Sequence, residues 1–540
     1  MKIGSISVTI SDILFIIVCT LLLSLPASYE PHHFAKTLFI GAFIQSLAYS
    51  LLIWLLINKS VGLKKVVFTI LFVLFFIETF TYFRFDSRFN PSILTIILQT
   101  SIQEISEFFK TFVFSYSIFG FLFLTIVVYF ILYKLIFKCT KLVGYIHKLQ
   151  LLILSIFILF GFSLFVLPLP VPLGHNTVNE LFISADFVRN KHEEIEVMKQ
   201  MLDKIEIYDT PKSDDAPVIV LVLGESFNKY HSSLYGYNLA TSPFLVKERD
   251  KGQLIVYSDA KSPTNGTSFA MRYVFTLKSC DNDSNLERQC ILMPGVFRKS
   301  GYRVHYFDNQ YTRSSGGALD YSCGYFLNPQ YINDYCFDYR NTETSPYDGE
   351  FIEKYKDCFA KQNKSLNIIH LMGQHFDAEC RYPDQFRIFS SKDIQRPDLD
   401  ESERQQVAVY DNATRYNDYV LSRIIHYFSD TDAVIIYFSD HGEQVYDGKQ
   451  HYFGRTFGSI RDEETLKNVY QIPFMVWCSE SFKAKHSDKY QALVDSKDDT
   501  ICCDDVPYLL FDLAGIDFNY SCRQRSFIDH SYQPHQTVYE

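Results

Sequence analysis

The chain has 540 residues, of which 48% are hydrophobic, and a formal net charge of −10. This acidic balance and the lack of a basic cluster argue against nucleic acid as a partner. The mean hydropathy is close to zero, but the apolar residues crowd into the first third of the chain. We therefore expect a membrane region followed by a soluble one.

Five apolar stretches in the first third are long enough to cross a bilayer. They span residues 6–26, 37–57, 66–82, 114–137 and 151–167. No small-residue cleavage pattern marks the first stretch as a signal peptide, so we expect it to remain as an anchor. The longer connection near residues 90–112 has apolar residues at helical spacing, and we predict that it lies along the outer membrane surface.

The distribution of lysine predicts how these spans are oriented. Lysines gather in the second and fourth connections, at Lys59, Lys64, Lys65, Lys138, Lys141 and Lys148. Because positive charge marks cytoplasmic loops, an odd number of spans delivers the rest of the chain to the outer face.

The cysteines fit an exported domain. Ten of the twelve follow residue 167, and an oxidising compartment permits disulfides. Cys280 with Cys290, and Cys323 with Cys336, are close enough along the chain to form local disulfides. Reduced core cysteines are the alternative, since sequence alone does not determine pairing.

We divide the chain into a transmembrane region at 1–168, a polar bridging segment at 169–215 and a globular domain at 216–540. In this domain short β-branched runs alternate with longer amphipathic segments, such as residues 400–428. The runs are VIVLVLGES, LIVYSDAKS, YRVHYFDNQ, LNIIHLMGQH, AVIIYFSDHGE and IPFMVWC. The alternation predicts an α/β fold with a largely parallel central sheet, in which ligands bind beyond the carboxyl ends of the strands.

Three potential metal ligands follow two of these runs. Glu225 ends the strand VIVLVLG, and Asp440 and His441 end the strand AVIIYFS. A single carboxylate or histidine in such a place is more often a helix cap than a ligand. Their joint placement at one edge of the sheet, with a second histidine ten residues after the first, instead predicts a metal site.

The segment SPTNGTSFAMRYVF offers a nucleophile for such a site. Three hydroxyls are available, those of Thr264, Thr267 and Ser268. A hydroxyl is a weak nucleophile until a metal lowers its pKa. Since serine and threonine in loops usually cap helices or stabilise turns, composition does not choose among the three.

The run LGESFNKYHSSLYGYNLATSPFL resembles the opening signature of the bacterial phosphoethanolamine transferases. The matching residues are Glu225, Leu234, Tyr235, Gly236, Tyr237 and Pro243. That family belongs to the alkaline phosphatase and sulfatase superfamily and joins five spans to a periplasmic catalytic domain. The resemblance therefore covers nearly the whole chain. It implies a five-helix transmembrane domain followed by an alkaline phosphatase/sulfatase-like α/β domain.

The resemblance also implies roles for the candidate residues. Thr267 stands at the position of the family's nucleophile, so it would be the residue that is phosphorylated, at a helix N-terminus that favours an anion. Together with Thr267, the residues Glu225, Asp440 and His441 match the family's Zn²⁺ site.

Further residues are implied to bind substrate. In NIIHLMGQHFDAECRYP, His375 takes the place of a histidine that binds the phosphate group or a second metal, with His370 supporting it. His451 falls where the family has a further histidine of the same kind. In the surface segment, Thr100 and Glu104 match polar residues of the family's interfacial pattern.

Two positions depart from the family pattern. Pro263 stands where the lipid A enzymes generally have a cysteine, and Ile96 stands where the interfacial segment often has an asparagine. These differences concern the acceptor and the donor headgroup more than the chemistry.

We therefore expect transfer of phosphoethanolamine from phosphatidylethanolamine to lipid A or a core sugar, by a multi-pass protein of the bacterial inner membrane with a periplasmic catalytic domain. The nearest alternative is a glycerol-phosphate transferase of the lipoteichoic-acid synthase type, but the SLYGY run and the histidine after SDHGE favour the first reading. A sulfatase fits less well, because the Cys/Ser-x-Pro-x-Arg signature is missing. A non-catalytic protein that binds envelope lipids would leave the coexisting ligands and nucleophile unexplained.

Overall fold

The structure, a computed structural model, describes residues 5–29, 35–85, 88–91, 93–94, 116–138, 141–147, 176–281, 285–310, 324–448, 452–455 and 462–535. The chain divides into two compact units. The first comprises Met1–Lys191 with Thr456–Ser459, and the second comprises His192–Arg455 with Ile460–Glu540.

The first unit is built from apolar helices. They are α1 (Ile10–Ser24), α2 (Ala35–Ile57), α3 (Val61–Phe85) and α4 (Tyr116–Lys138). A more polar helix, α5 (Thr177–Lys204), follows them and continues into the second unit. Within the described residues, four segments are long and apolar enough to cross a membrane: Ile10–Tyr29, Phe39–Ile57, Val61–Phe83 and Gly120–Lys138. The fifth predicted span at 151–167 lies outside the described residues, as do Thr100 and Glu104 of the surface segment.

The first predicted span begins later than its hydropathy indicates. Residues Ser5–Thr9 form strand β1, which pairs antiparallel with β2 (Leu142–His147). Helix α1 starts at Ile10 because the side chain of Thr9 accepts a hydrogen bond from the Asp12 amide, and Asp12 caps the Thr9 amide in return. This reciprocal cap fixes the helix start.

The second unit is an α/β domain. Its strands are β3 (Ile207–Asp209), β4 (Val218–Gly224), β5 (Leu254–Val256), β6 (Asp259–Lys261), β7 (Arg303–Asp308), β8 (Tyr339–Arg340), β9 (Ser365–His370), β10 (Ala433–Ser439), β11 (Gln444–Val445), β12 (Phe453–Gly454), β13 (Gln471–Ile472), β14 (Phe474–Cys478), β15 (Thr500–Cys502) and β16 (Asp517–Phe518). Its helices are α6 (Pro243–Asp250), α7 (Thr267–Phe275), α8 (Leu286–Gln289), α9 (Met293–Lys299), α10 (Gln330–Cys336), α11 (Asp348–Tyr355), α12 (Glu401–Phe428), α13 (Glu463–Tyr470), α14 (Glu480–Lys485), α15 (Ser487–Asp495) and α16 (Val506–Ala514).

The central sheet has the strand order β5-β14-β10-β4-β9-β7-β8. All six predicted runs contribute a strand to it. The sheet is mixed rather than simply parallel, because β14 runs antiparallel to both β10 and β5, while the other pairings are parallel. Strand β14 begins at the same end of the sheet at which β10 finishes. The two strands are therefore antiparallel, and the connection lacks the crossover that parallel pairing requires.

The sheet lies between two hydrophobic layers. Alternate residues of β4 point to opposite faces: Ile219, Leu221 and Leu223 join the first core cluster, and Val218, Val220 and Val222 join the second core cluster. Every residue of β4 and β10 is buried. This explains why both strands read as continuous apolar runs, as expected for strands covered on both faces.

The predicted helix at 400–428 is also present. Helix α12 begins after Asp400, whose side chain accepts from the Glu403 amide while Glu403 caps the Asp400 amide. Its apolar face packs on the second core cluster.

The predicted local disulfides are not seen. No disulfide joins the described cysteines, and Cys323 lies outside the described residues. Cys290 is buried in the first core cluster, whereas Cys280 makes a side-chain contact with Cys502. Nearness in sequence did not predict this contact, because the fold brings the end of β15 alongside the segment that contains Cys280.

Candidate metal centre

Two neighbouring strand ends bring the predicted ligands together. Strands β4 and β10 pair in parallel, with Gly224 opposite Ser439. Glu225 follows the first of these residues, and Asp440 and His441 follow the second. Because the two carboxyl ends are level, the three side chains meet at one edge of the sheet.

The ligand atoms face one another in a buried space. His441 Nε2 lies 3.3 Å from Glu225 Oε1 and 3.2 Å from Asp440 Oδ2. His441 Nδ1 is 2.7 Å from the Gly442 carbonyl oxygen, so this nitrogen carries the proton and Nε2 presents a lone pair to the carboxylates. The three side chains offer ligand atoms within 4.8 Å of one another.

The charges in this space call for a cation. Asp440 Oδ2 is buried and has no hydrogen-bond partner among the described residues. Burial raises the pKa of Asp440 well above its usual value, and the nearby charge of Glu225 raises it further. Two buried carboxylates side by side are costly unless something positive lies between them. The donor set of two carboxylates, an imidazole and a hydroxyl fits Zn²⁺.

Thr267 provides the hydroxyl. It is the first residue of α7, and its Oγ1 donates to Glu225 Oε2 at 3.0 Å and lies 3.4 Å from His441 Nε2. Thr264 lies earlier in the loop, where its carbonyl oxygen accepts from Ser262 Oγ at 2.8 Å. The amides at the start of α7 favour negative charge at Thr267.

Ser262 ties this loop to the metal ligands. Its hydroxyl lies within hydrogen-bond distance of two carbonyl oxygens, those of Thr264 and, at 2.5 Å, Asp440. Ser262 is fully buried, so the loop that carries Thr267 is fixed against the end of β10.

Two residues that the sequence did not single out contact the ligands. Gln310 Nε2 donates to Glu225 Oε2 at 3.0 Å and to the Leu371 carbonyl at 2.9 Å. Arg455 Nη1 lies 2.5 Å from His441 Nε2 and donates to the Asn265 carbonyl at 3.0 Å. Gln310 follows strand β7, so the strand-end rule that selected Glu225 could have found it. Arg455 follows β12 in a long connection and matches no motif.

The structure describes two of the three histidines that the sequence associates with phosphate binding. His375 is half-buried, and its charge contributes to holding the pKa of Glu225 well below its usual range, against the effect of burial and after that of His441. His370 ends β9, with Nδ1 3.1 Å from Asp308 Oδ1. His451 lies outside the described residues.

The backbone comes unusually close to Glu225. Gly373 has φ of +51°, and a Cβ at this position would stand 2.8 Å from both the amide nitrogen and the carbonyl oxygen of Glu225. Ser226, the residue after Glu225, has φ of +54° although it is not a glycine. Such strain is held only where surrounding contacts fix it; the Ser226 carbonyl accepts from Tyr410 at 2.6 Å.

The signature run after Glu225 is anchored by a buried charge network. His231 Nδ1 lies 2.7 Å from Asp411 Oδ1 and its Nε2 lies 3.1 Å from Asp447 Oδ2. Tyr237 donates to Asp411 Oδ2 at 2.8 Å. The network joins the run to α12 and to the loop after His441, so it positions both sides of the centre.

Comparison with known proteins identifies relatives of the domain that carries this centre. A model of the family described as Sulfatase matches residues 217–516. The chain is 30% identical over 306 residues to the phosphoethanolamine transferase EptC of Escherichia coli O18:K1:H7, covering 56% of this chain and 51% of that protein. It is 31% identical over 280 residues to the phosphoethanolamine transferase EptA of Helicobacter pylori, covering 50% and 49%. The chain thus matches about half the length of these relatives, and the matches confirm the resemblance drawn from the sequence.

Solved structures show the same fold. The integral membrane lipooligosaccharide phosphoethanolamine transferase A of Neisseria meningitidis matches with a TM-score of 0.64 and 16% identity, over 97% of this chain and 99% of that one. The periplasmic domain of EptC from Escherichia coli, crystallised as a complex with Zn, matches with a TM-score of 0.51 and 24% identity, over 61% of this chain and 90% of that one.

Proposed function

This chain belongs to the sulfatase family, and we propose that it acts there as a phosphoethanolamine transferase. It takes phosphoethanolamine from phosphatidylethanolamine and passes it to an envelope glycolipid through Thr267. The observation that carries the proposal is the position of Thr267, at a helix N-terminus with its hydroxyl 3.0 Å from Glu225 and 3.4 Å from His441. A hydroxyl held in this way is placed to attack phosphorus.

The first displacement forms a covalent intermediate on the protein. Thr267 Oγ1 attacks the phosphorus of the donor while the bond from phosphorus to the diacylglycerol oxygen breaks. The hydroxyl proton of Thr267, which is directed at Glu225 Oε2, passes to the departing diacylglycerol oxygen, so the step releases no net proton. The amides at the start of α7 stabilise the negative charge that develops on the phosphoryl group.

Zn²⁺ is the proposed cofactor, held by Glu225, Asp440, His441 and Thr267. When bound, it would supply the positive charge that lowers the pKa of the threonine hydroxyl. Arg455, beside His441, is placed to add charge for the phosphoryl oxygens. We assign His375 and His451 to binding the phosphate group or a second metal.

The second displacement releases the product. An oxygen of the acceptor, a phosphate of lipid A or a hydroxyl of a core sugar, attacks the same phosphorus while the bond to the Thr267 oxygen breaks. The proton that the acceptor oxygen loses passes to Thr267. Two displacements through one intermediate give ping-pong kinetics.

The membrane region brings both lipid substrates to the enzyme. We propose five spans in the bacterial inner membrane, with the domain at 216–540 in the periplasm and the bridge at 169–215 before it. In the surface segment near 90–112, Thr100 and Glu104 would contact the donor headgroup.

The test uses the purified full-length chain with either of two donors. With phosphatidylethanolamine, mass spectrometry should find phosphoethanolamine on the peptide that contains Thr267. Thr267→Ala should abolish this adduct, and the neighbouring change Thr264→Ala should leave it.

A glycerol-phosphate adduct from phosphatidylglycerol would support the lipoteichoic-acid synthase type instead. No adduct from either donor would support a non-catalytic lipid-binding protein. Mass spectra of envelope glycolipids from cells with and without the gene then identify the acceptor.

A further inference from the structure

A second group of potential ligands lies outside the centre described above. It consists of Cys280, Cys502, Asp504 and His535, whose ligand atoms lie within 4.8 Å of one another. The four residues come from three parts of the chain: the connection after α7, the end of β15 with the turn that follows it, and the C-terminal segment. A cluster assembled from such distant positions is a product of the tertiary fold.

The oxygen and nitrogen ligands are already oriented toward the cluster. Asp504 is fully buried, and its Oδ1 accepts no hydrogen bond among the described residues. His535 Nε2 lies 3.2 Å from this oxygen, while His535 Nδ1 lies 2.9 Å from Asp281 Oδ2. A histidine that donates one nitrogen to a carboxylate and presents the other to the site has the arrangement of a metal ligand.

We infer that this cluster is a second metal site, which binds a thiophilic divalent ion such as Zn²⁺ through Cys280 Sγ, Cys502 Sγ, Asp504 Oδ1 and His535 Nε2. Four ligands that include thiolates and an imidazole are typical of a closed structural zinc site. The inference does not depend on the reaction proposed for Thr267.

The charges around the cluster permit a dication. Arg525 lies beside the site, with Nη2 2.9 Å from Asp504 Oδ2 and 3.0 Å from His535 Nε2, and it also pairs with Asp505. The thiolates of Cys280 and Cys502 and the carboxylates of Asp504 and Asp505 together carry enough negative charge to balance both Arg525 and a divalent ion. Because a thiol must lose its proton to bind a metal, binding at this site would release protons.

A disulfide between Cys280 and Cys502 is the competing arrangement, particularly if the domain is exported. It would explain the nearness of the two sulfurs. It gives no reason for a buried Asp504 Oδ1 that accepts no hydrogen bond in the described part of the chain, and no disulfide joins the described cysteines.

The site would hold both ends of the segment that carries Thr267. Before that segment, β6 pairs in parallel with β15, with Lys261 opposite Cys502. After it, the Cys280 amide donates to Asp504 Oδ2 at 2.8 Å. A metal bound to Cys280, Cys502 and Asp504 would therefore fix residues 261–280 to a single turn.

Cobalt loading of the full-length chain tests the site. We expect Co²⁺ to produce a thiolate-to-metal absorption band, which the candidate centre at Glu225 cannot give because its ligands include no sulfur. Cys502→Ser and the milder Cys280→Ser, at a half-buried position, should each abolish most of the band. Asp440→Asn, which affects the other centre, and Cys380→Ser, at an exposed cysteine, should retain it.

Two results would overturn the inference. One is a wild-type chain with reduced thiols that takes up cobalt without this band. The other is a native chain in which mass spectrometry finds Cys280 and Cys502 joined in one peptide pair, lighter by two hydrogens. Loss of transferase activity in the cysteine variants would decide neither, so the band and the peptide masses are the readouts.

Discussion

Gln310 Nε2 lies 3.0 Å from Glu225 Oε2, the same carboxylate oxygen that accepts the hydroxyl of Thr267. The amide also donates to the carbonyl of Leu371, the residue that follows β9. This second hydrogen bond fixes the position of the amide. Gln310 thereby holds the Glu225 carboxylate beside the hydroxyl of Thr267, and we expect it to act as a positioning residue.

Gln310→Ala should lower kcat by about tenfold, because one hydrogen bond to a charged group is lost. KM for the donor should change little, since the amide contacts a ligand and not the substrate. Gln310→Glu should be more damaging than the alanine change, because it places a second carboxylate against Glu225. Steady-state kinetics with both variants would check this, and wild-type turnover in Gln310→Glu would refute the positioning role.

Asp440→Asn should have opposite effects on stability with and without metal. When metal is removed by a chelator, the variant should unfold at a higher temperature than the wild type, because it no longer buries a carboxylate beside Glu225. With zinc in excess the wild type should be the more stable, because binding to the folded state stabilises it. Each kcal/mol corresponds to a shift of about 2 to 4 °C. Thermal unfolding of both proteins measures the crossing; parallel curves would show that this centre holds no metal.

The meeting of Glu225, Asp440 and His441 could be predicted because their positions follow from the strand pattern. Glu225, Asp440 and His441 each follow a buried apolar run, and parallel strands bring such residues to one edge. Arg455 could not be found in this way, because its approach to His441 depends on the path of a long connection. The direction of β14 and the neighbour of Cys280 were missed for the same reason, since both depend on how distant segments return to the sheet.

The contribution of His231 to stability should decrease at alkaline pH. Burial alone would lower its pKa, but the carboxylates of Asp411 and Asp447 raise it to about 10. A histidine in the unfolded chain has a pKa of about 6.5, so the folded state binds more protons between these values and loses stability as the pH rises through them. The contribution is complete below about pH 6.5.

His231→Gln provides the comparison for this titration. The unfolding temperature of the variant should lie furthest below that of the wild type near neutral pH or lower, and the difference should shrink as the pH approaches 10. A difference that stayed constant over this range would mean that the imidazole is neutral in the fold. Glutamine keeps a hydrogen-bond donor for one of the two carboxylates, so packing changes little.

Gly373→Ala should displace Glu225. The new Cβ would stand 2.8 Å from the Glu225 amide nitrogen and carbonyl oxygen, at a residue whose φ is +51°. The left-handed backbone costs about 1–2 kcal/mol for a residue with a Cβ, and the contact with main-chain atoms forces a shift of the first ligand as well. We expect loss of metal from this centre and loss of the Thr267 adduct, together with lower stability.

Gly252→Ala separates the strained backbone from the close contact with Glu225, because φ there is +70° but its Cβ would meet nothing within 4 Å. That control should lose a similar amount of stability from the backbone and keep both metal and adduct; equal loss of metal in the two variants would show that the close approach to Glu225 is not what the glycine preserves.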